Sequence, residues 1–417
     1  MSAEVAILNK KGVALAADSA VTLGGSSGKI YNSCDKLFAL SKYRPVGIMI
    51  YGSARFMGID WETIIKCYRD FLGEKSFDRL EDYEGDFLNY LAKFPYFTEG
   101  QKIEYIKSRC FDLFSQVLEI VIEDLLDAFK GDRDIPAAKI QGVVDTSLRD
   151  IKGRIAEKET EKQIKLDSDF IDSNGETIHK ILEVVFENYR LSKKQTNELT
   201  EILKLHFQKS GYIDDYSGIV IVGYGEREIF PSICEFSASG MLGDSLIYFD
   251  REINKVDDEC TSIICPFAQV DMVHQFVRGI DKHFQFAILE KIETVLNTFS
   301  PLLGEGETGK KKTSAIFDLI DEQIKKVQSI TNVQPILDIV TSMETNELIL
   351  MADAMISLTA LKRHVSDDEE SVGGPVDVAM ITKSDGFIWI KKKTSYDPGL
   401  NIDLSQNYFR SRKNGNL

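Results

Sequence analysis

Two textures alternate along this chain, and their order limits its fold more than any other feature. Stretches rich in β-branched residues and glycine give way to lysine- and glutamate-rich runs at helical spacing, in the order β, helical, β, helical, β. The first β block runs from Ala3 to about Tyr51. AEVAILN and VALAA flank KKG, which predicts a hairpin with Gly12 at its turn. VGIMIY, residues 46–51, predicts a strand buried on both faces. GSARFMGIDWETIIKCYRDFLG then predicts a helix, with Ser53 as its N-cap and Gly73 as its stop.

From about Glu74 to Ser210 the texture is helical. Apolar residues at 103, 106, 110, 113, 114, 117, 121, 125 and 129 form one face of a long helix. ETIHKILEVVFENYR is another, and SKKQTNELTEILKLHF opens with Ser192 and Gln195 at capping-box spacing. The charged RIAEKETEKQIKLDSD reads as a solvated helix face or a loop. β texture returns at YSGIVIVGYGEREIFPSICEFSASG and SLIYFD, and a helix is expected over about 271–298. GEGETGKKKTS, 304–314, reads as a polar loop, and helical segments resume to about His364. In GGPVDVAMITKSDGFIWIKKK two strands face each other across Ser384, Asp385 and Gly386. The order predicts one sandwich-like α+β core interrupted by helical insertions, with no internal repeat.

The bulk numbers narrow the function classes. A chain of 417 residues suffices for one large domain with insertions or for two domains. Its formal charge of −16 argues against nucleic-acid and anionic-membrane partners, which need clustered positive charge. Six cysteines, at 34, 67, 110, 234, 260 and 265, show no CxxC and no metal-ligand spacing, so a reducing cytoplasm is expected and no metal site. No apolar run is long enough to cross a bilayer, and MSAEVAILNKKG lacks the pattern of a secretory leader. His274, His283 and His364 share no spacing for metal or nucleophilic chemistry and read as surface or satisfied core histidines.

Two segments resemble phosphate loops superficially. A P-loop needs G-x-x-x-x-G-K-[ST] between a strand and a helix, so that backbone N–H groups converge on phosphates. In GVALAADSAVTLGGSSGKI, 12–30, Leu23 stands at the first glycine and Ile30 follows the lysine. In GEGETGKK the glycines are correctly spaced, but Lys311 replaces the hydroxyl and VLNTFSPLL before it reads as a helix end. Neither supports a nucleotide cofactor.

The opening segment resembles a proteasome-type β subunit of the N-terminal nucleophile (Ntn) hydrolase superfamily. The matching pieces are SAEVAILNKKGVALAADSAVT, SCDKLFAL and IMIYGSARF, with DEESVGGPVDVAMITKSDG near the end. The resemblance implies a four-layer αββα sandwich with a discontinuous core at 1–73, 212–300 and 345–395. Helical insertions at 74–211 and 301–344 are foreign to standard subunits, and 396–417 is a C-terminal tail. Set on the family pattern without gaps, the nucleophile position falls on Ser2, where the family as a rule has threonine. Removal of Met1 would expose a serine with a free α-amine, whose unperturbed pKa near ~8 suits a base. By the same matching Asp18 is the acidic position and Lys36 the basic one, with Lys29 a fallback because the preceding turn is two residues long of the pattern. Gly52 would donate its N–H to an oxyanion, and Asp368 and Ser371 would support the α-amine. Val372 is inserted before Gly373 and Gly374, and the family's GSG serine has no counterpart in CPFAQVDMVHQF.

The implied activity is hydrolysis of peptide or other amide bonds in a peptide or protein substrate, without a cofactor, by a homo-oligomer that forms rings. A catalytically silent structural subunit and a small-molecule amidase stand as alternatives.

Overall fold

The computed structural model describes residues 2–23, 29–31, 34–129, 135–157, 170–208, 216–304, 306–366 and 372–393. The chain opens with β1 (Ala3–Asn9), β2 (Gly12–Ala17), β3 (Val21–Leu23), β4 (Lys29–Tyr31), β5 (Leu37–Ala39), β6 (Val46–Gly52), β7 (Arg55–Phe56) and β8 (Ile59–Asp60). Six helices follow: α1 (Trp61–Leu72), α2 (Leu80–Ala92), α3 (Glu99–Phe129), α4 (Ala137–Glu157), α5 (Phe170–Val185) and α6 (Lys193–Gln208). Four strands come next: β9 (Ser217–Gly223), β10 (Ser232–Leu242), β11 (Ser245–Lys255) and β12 (Ser262–Ala268). The remainder is α7 (Asp271–Arg278), α8 (Lys282–Leu303), α9 (Glu307–Gln328), α10 (Gln334–Ser342), α11 (Thr345–His364), β13 (Asp377–Thr382) and β14 (Gly386–Lys391). This is an α+β fold.

Two antiparallel five-stranded sheets form its centre, in the orders β12-β1-β2-β13-β14 and β11-β10-β9-β6-β5. Because side chains alternate across a strand, each sheet presents one apolar set to the other. Ala6, Leu8, Val13 and Leu15 of the first pack with Met49, Val220 and Val222 of the second. The opposite set of the first sheet, Val5, Ile7, Ala14 and Ala16, packs with Leu348, Ala352 and Ile356 of α11. The opposite set of the second, Ile48, Ile50, Ile219 and Ile221, packs with Ile64, Ile65 and Tyr68 of α1 and Phe87 of α2. Strands covered on both faces need apolar residues at nearly every position, and this explains the VAIL, VALAA and IVIV runs of β1, β2 and β9.

Helices α3 to α6 build a separate core. Cys110, Phe114, Val144, Leu148, Leu199 and Phe207 pack together and onto Leu242, Ile247 and Phe249 of the long β10–β11 hairpin. The expected capping box is present: Ser192 N–H donates to Gln195 Oε1 at 2.9 Å and Gln195 N–H to Ser192 Oγ at 3.3 Å. Pro301-containing α8 pairs instead with α9, and α8 buries none of its side chains. Among the described residues no helix is long and apolar enough to cross a membrane.

Several expectations are corrected. The first helix begins at Trp61, not after Ser53, because Met57 (φ 52°) and Gly58 (φ 78°) both take left-handed conformations. Such a pair makes the two-residue hairpin turn that joins β7 to β8. Gly12 is the first residue of β2 and not a turn residue; a Cβ there would meet Met380 Cε at 2.4 Å and Ile381 O at 2.7 Å. The turn is Lys10-Lys11, and Asn9 holds it by accepting from Lys11 N–H at 2.9 Å. The helix expected over 271–298 is interrupted at Gly279 (φ 76°), which caps α7. Most of the supposed 304–314 loop is the first part of α9.

Candidate active site

Antiparallel pairing of the first two strands does the initial positioning. With Glu4 opposite Ala17, Asp18 lies beside Ala3: Asp18 N–H donates to Ala3 O, and Ala3 N–H donates to Asp18 Oδ1, each at 3.0 Å. Asp18 Oδ2 accepts from Ala20 N–H and Gly373 N–H, both at 3.1 Å. Lys36 arrives from the other sheet, just before β5, where its carbonyl accepts from Ile50 N–H at 2.9 Å. Its ammonium donates to Asp18 Oδ1. Asp18 thus receives three backbone N–H groups and one ammonium, the hydrogen-bond partners that a carboxyl group withdrawn from water requires.

Ser2 immediately precedes β1 and is 4% exposed. Its carbonyl accepts from Gln269 N–H at 2.9 Å. Its hydroxyl makes no hydrogen bond of ordinary geometry, yet it lies close enough to the Glu4 carboxyl to draw that group's pKa down.

Glu4 is the residue that sequence reasoning missed. It is 1% exposed, and one carboxyl oxygen stands 3.5 Å from Lys36 Nζ. Unlike Asp18 it receives no backbone N–H, and neither oxygen is otherwise hydrogen-bonded. Burial pushes its pKa up to about 8; Lys36 opposes the rise and the nearby Asp18 charge adds to it. A signal was present in the sequence, since Glu4 is the one charged residue within AEVAILN.

Ser2 and Lys36 line a cavity of about 300 Å³, with Tyr51, Gly52, Asp60, Trp61 and Thr63 among its other walls. Gly52 closes β6 with φ 77°, and a Cβ there would come within 2.7 Å of Tyr216 O. The helix does not start directly after Gly52 as expected, but the first residues of α1 still border the cavity, so their N–H groups give that wall positive character. Tyr51 donates to Glu235 Oε1 at 2.5 Å and stacks on Phe267 at 5.7 Å between centroids. Burial, with the Glu235 charge beside it, raises the Tyr51 pKa above the usual phenol range.

The structure therefore brings Ser2, Asp18, Lys36 and Gly52 to one place. Lys29 sits elsewhere in its pairing, opposite Leu23 in the β3–β4 ribbon. Asp368 and Ser371 lie outside the described residues. Just after them, Gly373 O accepts from Ser19 N–H at 3.1 Å, and Ser19 Oγ donates to Pro375 O at 2.6 Å. Where a GSG was sought, Ala268 ends β12 and Gln269 and Val270 lead into α7. Ala268 is left-handed (φ 57°), and the Gln269 side chain accepts from Arg363.

No family model matches the chain, and no curated protein matches it. Among solved structures it is similar to an Anbu Gly-1 mutant from Hyphomicrobium sp. strain MC1 and to Anbu, described as an ancestral beta-subunit, from Yersinia bercovieri. Identity is 8% and the TM-score 0.28 in both, over 100% of this chain and 98% and 97% of theirs. A likeness this distant says nothing about the chemistry of this chain.

Proposed function

We propose that this chain is a proteasome-like Ntn hydrolase that cleaves peptide or other amide bonds through Ser2 after Met1 is removed. One observation carries the reading: Ser2 borders a cavity beside a buried Lys36–Asp18 ion pair assembled from two sheets. On this reading the two packed sheets and their outer helices are a four-layer αββα sandwich. Its core comprises 1–73, 212–300 and 345–395, and 74–211 and 301–344 are insertions. The same reading places the protein in the cytoplasm as a ring-forming homo-oligomer. Exposed Phe284, Phe286, Phe299 and Leu302 on α8 supply apolar surface for assembly.

In the proposed reaction the Ser2 α-amine takes the hydroxyl proton as Oγ bonds to the substrate carbonyl carbon. Lys36 lowers the cost of negative charge on Oγ, and Asp18 holds Lys36 in position. Gly52 N–H donates to the oxyanion. The ammonium then returns its proton to the leaving nitrogen as the C–N bond breaks, leaving an ester on Ser2. Water, deprotonated by the same amine, hydrolyses that ester and frees the serine.

A peptidyl epoxyketone tests this, because it closes a ring onto both a hydroxyl and its adjacent amine. Mass spectrometry should find the adduct on Ser2, and Ser2→Ala should abolish it. Biological activity unchanged in Ser2→Ala would favour a silent structural subunit instead. The cavity volume of about 300 Å³, at the small end for ligand sites, supports small amides as a second substrate class. Turnover of short amides without degradation of unfolded protein would select that reading.

A further inference from the structure

We infer that Glu4 is a positioning residue of this site, whose carboxyl, buried against Ser2 and Lys36, sets through Lys36 how readily Ser2 reacts by gaining or losing one proton. The inference rests on the Ser2 reading and adds to it a residue that the family matching did not supply.

The placement comes from the strand. Residues two apart share a face, so Glu4 follows Ser2 into the space between the sheets, where Ala6 and Leu8 continue as core. Lys36 crosses from the second sheet and meets two carboxyls there, Asp18 through a hydrogen bond and Glu4 at 3.5 Å. The two are solvated differently by the protein. Asp18 has its backbone donors, whereas Glu4 has none and is equally shut off from water. A carboxyl in that situation holds its proton. The other groups felt there are the Ser2 hydroxyl just before β1, the Ser2 α-amine once Met1 is removed, Asp18 after β2 and Tyr51 on β6, whose hydroxyl is turned to Glu235. Its cross-strand neighbours, Ala17 and Phe267, are uncharged.

Two states result. With Glu4 protonated, Lys36 belongs to Asp18 and the cluster is neutral, so negative charge can develop on Ser2 Oγ beside an undivided ammonium. With Glu4 ionised, Lys36 is shared between two carboxylates, and the cluster carries a net negative charge next to the attacking oxygen. That charge opposes the alkoxide and the tetrahedral oxyanion. Loss of the Glu4 proton therefore slows the site. The burial-raised pKa of about 8 locates the change just above neutrality.

The test is the second-order rate of Ser2 modification by the peptidyl epoxyketone from about pH 6 to about pH 10, in wild type and Glu4→Gln. Wild type should give a bell, rising as the α-amine deprotonates and falling up to about tenfold per pH unit above the Glu4 transition. Glu4→Gln should keep the near-neutral rate within about threefold and rise to a plateau with no alkaline fall. An unchanged alkaline limb in Glu4→Gln, with wild type still labelled, overturns the inference while leaving the Ser2 reading intact. Wild type that is never labelled at any pH sinks the Ser2 reading first. A second measurement needs no variant: carbon-13 NMR of glutamate-labelled wild type should show a carboxyl titrating near 8, and a protein whose glutamates all titrate below about 6 overturns the inference directly.

Discussion

Lys36 and Asp18, eighteen positions apart and carried by opposite sheets, close a buried ion pair at the edge of the cavity that Ser2 also lines. Neither side chain makes sense alone in the interior. An ammonium and a carboxylate withdrawn from water each lose several kcal/mol of hydration, recovered only through each other and through the N–H groups around Asp18.

Removing one partner should accordingly be worse than removing both. Lys36→Met leaves Asp18 uncompensated, and Asp18→Asn leaves Lys36 with only Glu4. Each is expected to lower stability by about 3–5 kcal/mol. The double variant should lose less than the sum of the two, because the residues contact each other. Urea denaturation of the four proteins measures this cycle, and additive losses would contradict the pairing.

Glu4 makes stability depend on pH with a definite sign. Its folded pKa of about 8 lies above the ordinary 4.5, so between those values the folded chain holds a proton that the unfolded chain has released. Its contribution is fully present below pH 4.5 and is lost as pH rises through about 8. Glu4→Gln, which cannot titrate, should therefore gain on wild type as pH increases, by at most about 5 kcal/mol. Melting temperatures across this range check it; parallel curves would mean that Glu4 titrates normally.

Gly52→Ala should lose labelling of Ser2 and destabilise the chain by about 1–3 kcal/mol, through positive-φ strain and the overlap with Tyr216 O. Thermal melts and labelling rates together read out both effects. An alanine variant of wild-type stability would show that the β6 end adopts another backbone conformation.

Ala268 offers the opposite case. It holds φ 57° next to the strand that carries Ser2, and glycine adopts that conformation without a Cβ clash. Ala268→Gly should be neutral or stabilising by up to about 1 kcal/mol, although glycine ordinarily weakens a strand. A loss of more than about 1 kcal/mol in denaturant midpoints would contradict left-handed geometry there.

Much of the fold is legible in the sequence alone. The opening hairpin, the doubly buried β6, the face of α3, the Ser192–Gln195 cap, the C-terminal end of α11 and the last hairpin follow from local periodicity and turn chemistry. Asp18 and Lys36 are singled out by the family resemblance, and Lys29 competes with Lys36 until the strand pairing is seen. The features that escape depend on tertiary context. Met57 carries no local mark of a left-handed residue, so the β7–β8 hairpin merges into α1 when only the sequence is read. The glycines and lysines of α9 suggest a loop, but Gly309 is needed there because Ser300 O would lie 2.6 Å from a Cβ. Glu4 is legible as a charge in an apolar strand, but its partner is 32 residues away on another sheet, which no local pattern reports.

The central claim is that Ser2, once its amine is free, is the nucleophile, and intact-mass analysis of the purified native protein before and after peptidyl epoxyketone treatment tests it most directly. The account predicts a chain that begins at Ser2 and gains one inhibitor, with the adduct on Ser2 and absent from Ser2→Ala. A chain that hydrolyses amides while keeping Met1, or one that begins at Ser2 and stays unmodified, would contradict it.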